Sequence, residues 1–147
     1  MRDVTEALRL FVVPAGTALT VQQRSGTVCV WCPRDLDGGE GVDLGGTGDW
    51  RPRACPPCHE VQRHSLATYL DWYDHGITCM RCPLGPCERG QALRAEHLTA
   101  RERAGMPQLW CAHCRTPIEH AEQARPHVWE GMSGPVFSYL HARPCLG

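Results

Sequence analysis

The hydrophobic positions of this chain fall in short, broken runs, and few of them repeat with a helical period. Leu10 to Val13 is continuously apolar and ends at Pro14-Ala15-Gly16; Leu19 and Val21 then alternate with Thr20 and Gln22 up to Ser25-Gly26. Thr27-Val28-Cys29-Val30 makes a third run. Apolar residues alternating at period two between glycine or proline turns suit half-buried strands, so residues 1–28 are expected to form a small β-meander. Asp3-Val4-Thr5-Glu6 sets an N-cap residue three before an acid, and a short helix is expected to open there. Residues 33–52 are rich in Gly and Asp, a loop composition with a weak hairpin about Val42 and Leu44.

Two segments do carry the helical period. Leu66, Tyr69, Leu70 and Tyr73 recur at i, i+3, i+4 and i+7 and predict a helix over 58–75, entered through Pro56-Pro57 and closed by Gly76 as its C′ residue. A second helix is expected over about 88–104, with Leu93, His97, Ala100 and Ala104 on a narrow inner face and Gly105-Met106-Pro107 ending it. Leu109-Trp110-Cys111 reads as a short strand and Pro117 to Arg125 as a helical turn. Val128-Trp129 and Val136-Phe137 read as two strands about Gly131 to Gly134, and Ser138 to Arg143 as a last helical turn stopped by Pro144. The expected divisions are 1–28, 29–75, 76–105 (a cysteine loop plus the second helix) and 106–147.

Composition explains why such a chain needs cross-links. It has 147 residues with fifteen Gly, twelve Pro and only two Phe, a poor stock for a large aliphatic core. The ten cysteines supply the missing staples. Eight of them form four Cys-x-x-Cys pairs, at 29/32, 55/58, 79/82 and 111/114. Two-residue spacing lets one tight turn aim both sulfurs at one ion, which is the habit of zinc sites and not of disulfide frameworks. The N-terminus lacks a secretory pattern, since the run from Leu10 is short and Asp3 and Glu6 stand where positive charge belongs. No stretch is long enough to cross a bilayer. The chain is therefore expected in the cytoplasm, where paired cysteines bind metal or do catalysis.

Three structural zinc ions are expected. The first takes Cys29, Cys32, Cys55 and Cys58, the last Cys111, Cys114, His141 and Cys145, where the four-residue spacing of His141 and Cys145 suits one face of a helical turn. His113, His120 and His127 compete with His141 for that place. The middle set is Cys79, Cys82 and Cys87 with His75 as fourth ligand. His97 lies ten residues beyond Cys87, roughly 15 Å along a helix, and is better placed in a core or interface. A different pairing joins Cys79 and Cys82 to Cys111 and Cys114 as a zinc ribbon, but leaves Cys87 and Cys145 over. Iron–sulfur ligation by Cys79, Cys82 and Cys87 stays open beside zinc.

A strand feeding Cys29-Val30-Trp31-Cys32, a long loop, and Cys55-Pro56-Pro57-Cys58 at a helix start resemble a treble-clef zinc finger over about residues 27–75. Cys111-Ala112-His113-Cys114 with His141 and Cys145 resembles a second one over about 109–147. The resemblance implies a fold class and carries no activity with it: a small, metal-stabilised α+β chain with tandem treble-clef-like zinc modules and two main helices. Trp50 upstream of Cys55-Pro56-Pro57-Cys58 also resembles a thioredoxin-type redox stretch. That family needs a buried strand just before the motif, where this chain has Gly41 to Asp49, and no βαβ pattern surrounds it. The His-x-Glu of zinc deaminases precedes none of the pairs. A non-catalytic binding module is expected.

Charge bears on the partner. The formal net charge is −1, and ten metal-bound thiolates with three dications take it to about −5, a poor footprint for nucleic acid. Arg81, Arg89, Arg94, Arg101 and Arg103 cluster in the middle segment, though Glu88, Glu96 and Glu102 interleave with them. All fifteen basic side chains are Arg and the chain has no Asn, a codon signature that makes the choice of Arg over Lys uninformative. Trp31 and Trp110 are expected to pack over metal sites, and Trp50 and Trp129 to contact a protein partner. A zinc-stabilised protein-interaction or regulatory adaptor is the first expectation and a nucleic-acid-binding zinc finger the second.

Overall fold

The computed structural model describes residues 4–14, 18–36, 39–85, 87–106, 108–120, 123–132 and 134–145. Asp3, Ala15, Gly16 and Pro107 of the expected caps and turns, and Asp37, Gly38 and Pro86 of the expected loops, lie outside them. The chain divides into two compact units, Met1–Ala67 and Thr68–Gly147.

Among the described residues of 1–28 the expected β-meander is not formed. Helix α1 (Thr5–Ala7) follows Val4 and continues as a π-helical turn over Leu8–Val12, closed by Val13 N–H donating to the Leu8 carbonyl at 2.9 Å. The alternation around Leu19 is local capping chemistry instead. Thr20 Oγ1 accepts from the Gln23 N–H at 3.1 Å while Gln23 Oε1 accepts from the Thr20 N–H at 3.0 Å. This reciprocal box starts helix α2 (Val21–Ser25), and Gly26 at φ 84° ends it. A Cβ on Gly26 would stand 2.5 Å from the Arg51 carbonyl oxygen, so backbone conformation and close approach both require glycine. Val28 makes only an isolated bridge, to Asp35. The weak hairpin takes a different partner: β1 (Val42–Asp43) pairs antiparallel with β2 (Arg53–Ala54), Val42 opposite Ala54. Leu19, Cys29, Val30, Leu36, Leu44, Ala54 and Cys55 form the core of this unit.

Helix α3 (Pro56–Thr78) is longer than its apolar stripe predicts, and the division between units falls within it. Pro56 and Pro57 occupy its first turn, where no intrahelical N–H is required. Gly76 does not end it; the helix runs through this exposed position, and the Cys79 N–H still reaches the His75 carbonyl at 2.9 Å. Helix α4 (Glu88–Arg103) buries Gly90, Leu93, His97 and Ala100 at three- and four-residue steps, leaving Ala104 as its C-cap. Strands β3 (Ala124–Gly131) and β4 (Gly134–His141) then form one antiparallel hairpin, with His127 opposite Ser138 and Trp129 opposite Val136. The expected last helical turn over 138–143 is thus mostly strand, because Ser138 to His141 find backbone partners on β3 that a lone turn would leave to water. Of the helical turn expected over 117–125 only the end is seen among the described residues, where Gln123 is 3₁₀ and its N–H bonds the His120 carbonyl at 2.9 Å; Pro117 bridges Trp110, and Ala124 already belongs to β3.

Tyr69, Trp72, Leu93, Leu109, Cys111, Ile118, Ala124 and Tyr139 make the second unit's core. His97 sits inside it, 1 % exposed, with Nδ1 3.0 Å from Thr68 Oγ1 and Nε2 2.6 Å from the Tyr139 hydroxyl. The Tyr69 hydroxyl donates to the Ser138 carbonyl at 2.6 Å and accepts from the Ser138 and His127 N–H groups at 3.0 and 3.2 Å, tying both strands to α3. Among the described residues no helix is long and apolar enough to cross a membrane.

Candidate metal centres

Three groups of four side chains converge so that the donor atoms within each lie within 4.8 Å of one another: Cys29, Cys32, Cys55 and Cys58; His75, Cys79, Cys82 and Cys87; Cys111, Cys114, His141 and Cys145. Each group could hold a metal ion. Local backbone places every member. In the first, the Cys29 N–H bonds the Arg34 carbonyl at 2.9 Å to make a tight knuckle, and the Val30 N–H bonds the Arg53 carbonyl at 3.1 Å, docking that knuckle on β2. Cys55 immediately precedes α3 and Cys58 lies in its first turn. Cys29 and Cys55 are buried, Cys32 and Cys58 half-buried.

In the second group His75 and Cys79 are four residues apart at the end of α3, so both face one side. A 3₁₀ turn over Cys82–Leu84 returns the chain, and Cys87 N-caps α4, its sulfur accepting from the Gly90 N–H at 3.3 Å. Gly90 is itself a fitted position: a Cβ there would lie 3.3 Å from the Cys82 sulfur and 3.6 Å from the Cys87 sulfur. In the third group the Cys111 N–H bonds the Thr116 carbonyl at 2.9 Å and Arg115 adopts φ 59°, making a second knuckle. The Ala112 N–H bonds the Tyr139 carbonyl at 2.9 Å and holds the knuckle to β4. His141 ends β4 and Cys145 follows in irregular chain, so their spacing is realised by a strand end and not by the expected helical turn.

The separations fit one ion per group. Ligand sulfurs at about 2.3 Å from a tetrahedral ion stand about 3.8 Å apart, and a sulfur and an imidazole nitrogen about 3.6 Å. Here Cys32–Cys55 is 3.7 Å, Cys79–Cys87 3.8 Å, Cys82–Cys87 3.7 Å and Cys111–Cys145 3.6 Å between sulfurs. His141 Nδ1 stands 3.5 Å from both Cys114 and Cys145. His75 Nε2 to Cys87, at 3.1 Å, is the one closer contact of these. A disulfide would need about 2.05 Å, and all ten cysteines are free thiols.

The thiols differ in acidity within each group. Burial opposes ionisation of Cys55, but the Cys58 N–H and the neighbouring thiols stabilise its thiolate and bring it down to about 7. Burial drives Cys58 and Cys32 upward. The Arg81 and Cys82 N–H groups lower Cys79. Cys111 falls to about 5: against the cost of burial, it accepts from the N–H groups of Cys114, His141 and His113. Burial raises Cys145 to about 11, while the Cys111 thiolate raises His141. Each group therefore holds a thiol disposed to ionise beside others that keep their protons until a cation displaces them.

The competing residues stand elsewhere. His113 is exposed on the knuckle turn, His127 lies in β3, and Cys79 and Cys82 are grouped apart from Cys111 and Cys114. Trp31 packs half-buried against the first core, whereas Trp110 is 55 % exposed. Trp50 is half-buried and Trp129, 46 % exposed, stands in a strand and not in a loop. What periodicity could not reveal is the exposure of Ile77, Met80 and Leu84 beside the second group, at 65, 92 and 93 %. No family model, curated protein or solved structure matches this chain.

Proposed function

We propose that this chain is a non-catalytic, zinc-stabilised binding module, acting as a protein-interaction or regulatory adaptor. Zinc in each of the three groups would be closed by four protein ligands, Cys29, Cys32, Cys55 and Cys58; His75, Cys79, Cys82 and Cys87; and Cys111, Cys114, His141 and Cys145. A closed site has no position for water or substrate and serves structure. Sulfurs 3.6–3.8 Å apart leave room for one ion and none for a multi-iron cluster, which favours zinc over iron–sulfur ligation. Knuckle, hairpin and helix in that order around the first group support a treble clef there. The third group is served by a knuckle and a strand end, a more ribbon-like arrangement. A redox role for the Cys55–Cys58 pair is disfavoured by the burial of Cys55, which is 2 % exposed.

The observation carrying the protein-partner reading is the apolar exposure of Ile77, in the last turn of α3, and of Met80 and Leu84, on the loop that carries the second group. Exposed apolar side chains of this size are common at interaction surfaces. The α4 arginines give the nucleic-acid alternative less support. Arg101 stacks over the Tyr139 ring at 5.0 Å and bonds its hydroxyl at 3.1 Å, and Arg89 pairs with Glu96 at 3.9 Å. The test begins with elemental analysis and a thiol count under denaturing conditions, expected to give three zincs and ten thiols. Met80→Glu and Leu84→Glu should then keep the metal and abolish salt-insensitive binding of the partner. Iron, disulfides, or partner binding indifferent to both substitutions would count against the proposal.

A further inference from the structure

The outer face of the β3–β4 hairpin carries chemistry that a protein-interaction role leaves unused. Strand residues two apart share a face, so Arg125, His127 and Trp129 line one side of β3, and Leu140, opposite Arg125, joins them. These residues, with His113 from the knuckle and Arg143 beyond β4, border a cavity of about 570 Å³. Its described lining contains no carboxylate. Arg125 and Arg143 are exposed and form no ion pair among the described residues, whereas Arg9, Arg63 and Arg89 each do. His141 and Cys145 of the third metal group also line the cavity, and three thiolates and a neutral histidine on a dication would sum to a charge of about −1. Two guanidiniums outweigh it, so the mouth is cationic on a molecule that is acidic as a whole.

Another cavity, in the first unit, also joins a tryptophan to two arginines, Trp50 with Arg24 and Arg51, but Asp49 lines it as well. The hairpin cavity is the one without that opposing charge.

From this juxtaposition we infer that the hairpin face binds single-stranded nucleic acid, with Arg125 and Arg143 on phosphates and Trp129 stacked on a base. A cationic groove with interleaved aromatic rings is the common solution for unpaired strands, because every base offers a π-face while the charges follow the backbone. Spacing selects a strand over a free nucleotide. Arg125 and Trp129 are four residues apart, roughly 13 Å along β3, and His127 stands between them as a second ring. One base with its own phosphate does not span that distance; linked nucleotides do. The site lies away from Ile77, Met80 and Leu84 in sequence and draws on none of them, so it stands or fails separately from the protein-partner reading.

The test uses the full, metal-loaded chain. Fluorescence anisotropy of end-labelled oligouridylate and oligothymidylate octamers is followed against salt, with uridine and thymidine monophosphates and a blunt duplex as competitors. Single-strand binding is expected, with log K falling against log salt at a slope of about −1.4, two phosphate contacts at about 0.7 each. Arg125→Ala should flatten the slope by about 0.7. Trp129→Ala should weaken binding by about 5- to 150-fold, the worth of one stacked base, and leave the slope unchanged. Both positions are exposed, and metal content identical to the parent chain verifies that each variant has folded. Arg143→Gln repeats the slope measurement should Arg125→Ala lose metal. Absence of single-strand binding by the metal-loaded parent overturns the inference. So do a monophosphate or duplex that competes as well as the octamer, and binding indifferent to Arg125, Arg143 and Trp129.

Discussion

Among single residues, Cys87 has two duties that substitution can separate. Its sulfur approaches His75, Cys79 and Cys82, and it also accepts the Gly90 N–H as the N-cap of α4. Cys87→Ala removes both functions. Cys87→Ser removes the metal ligand but keeps a preferred capping oxygen, worth about 1 kcal/mol over alanine. Both variants should fall from three metals per chain to two, and the serine form should unfold at the higher urea concentration; equal midpoints would mean that the cap contributes nothing. Acidity at the third group makes a second prediction. At pH 7 Cys111, near 5, is already a thiolate, while Cys145, near 11, keeps its proton and His141 is raised by the Cys111 thiolate. Binding needs Cys145 ionised and His141 neutral, so it expels protons. Affinity is therefore gained as pH rises and lost as it falls. Chelator competition at pH 6, 7 and 8, with the His141 ring followed by NMR, should show tightening at each step; a flat profile contradicts the assignment.

For whole elements, the β3–β4 hairpin depends on one side chain of α3. The Tyr69 hydroxyl meets backbone groups of both Ser138 and His127, and burial holds its pKa well above the ordinary tyrosine value. Tyr69→Phe keeps the ring, which packs edge-on against Phe137 and Tyr139, but deprives those backbone groups of their partner. A loss of about 1–3 kcal/mol is expected, with faster amide exchange at His127 and Ser138 than at Glu130. Unchanged exchange at both positions would show that the strands hold themselves. The same elements show what can be read from the chain in advance. Helices α3 and α4 declare themselves because their stripes span several turns, and the ligand groups because Cys-x-x-Cys is a local motif. The N-terminal segment was misread as strands because Leu19 to Gln22 alternates over only four residues, too few to outweigh the Thr20–Gln23 capping box and Gly26, which were equally visible. Val136-Phe137 reads as strand and is one, whereas Ser138 to His141, the second half of β4, reads as a helical turn because a four-residue His141–Cys145 spacing suits a helix as well as a strand end followed by a bend. Its pairing with β3, a tertiary fact, decided between them. The exposure of Met80 and Leu84 had no local signal at all.

Across the molecule, each unit has its own small core, and each core contains ligand cysteines. Cys29 and Cys55 belong to the first, Cys111 to the second. Among the described residues these clusters are small for units of 67 and 80 residues, sizes that ordinarily need staples to fold. A structural zinc contributes an apparent 10–16 kcal/mol, about as much as the whole stability of an ordinary domain. Stripping every metal with a strong chelator should therefore unfold both units, reversibly on adding zinc back. Cys55→Ala makes the finer distinction. It removes one ligand from the first group and touches neither of the others, so the chain should retain two metals. Amide protection should vanish at Cys29, Val30 and Leu36, whose N–H groups bond Arg34, Arg53 and Thr27 around the first knuckle. Protection along Ala124–Gly131 and Gly134–His141 should persist, because those amides depend on Tyr69 and on their own ladder. Were Cys55 instead a redox thiol, its alanine variant would keep three metals and full N-terminal protection, and the four-sulfur centre would fail as the organising feature of the first unit.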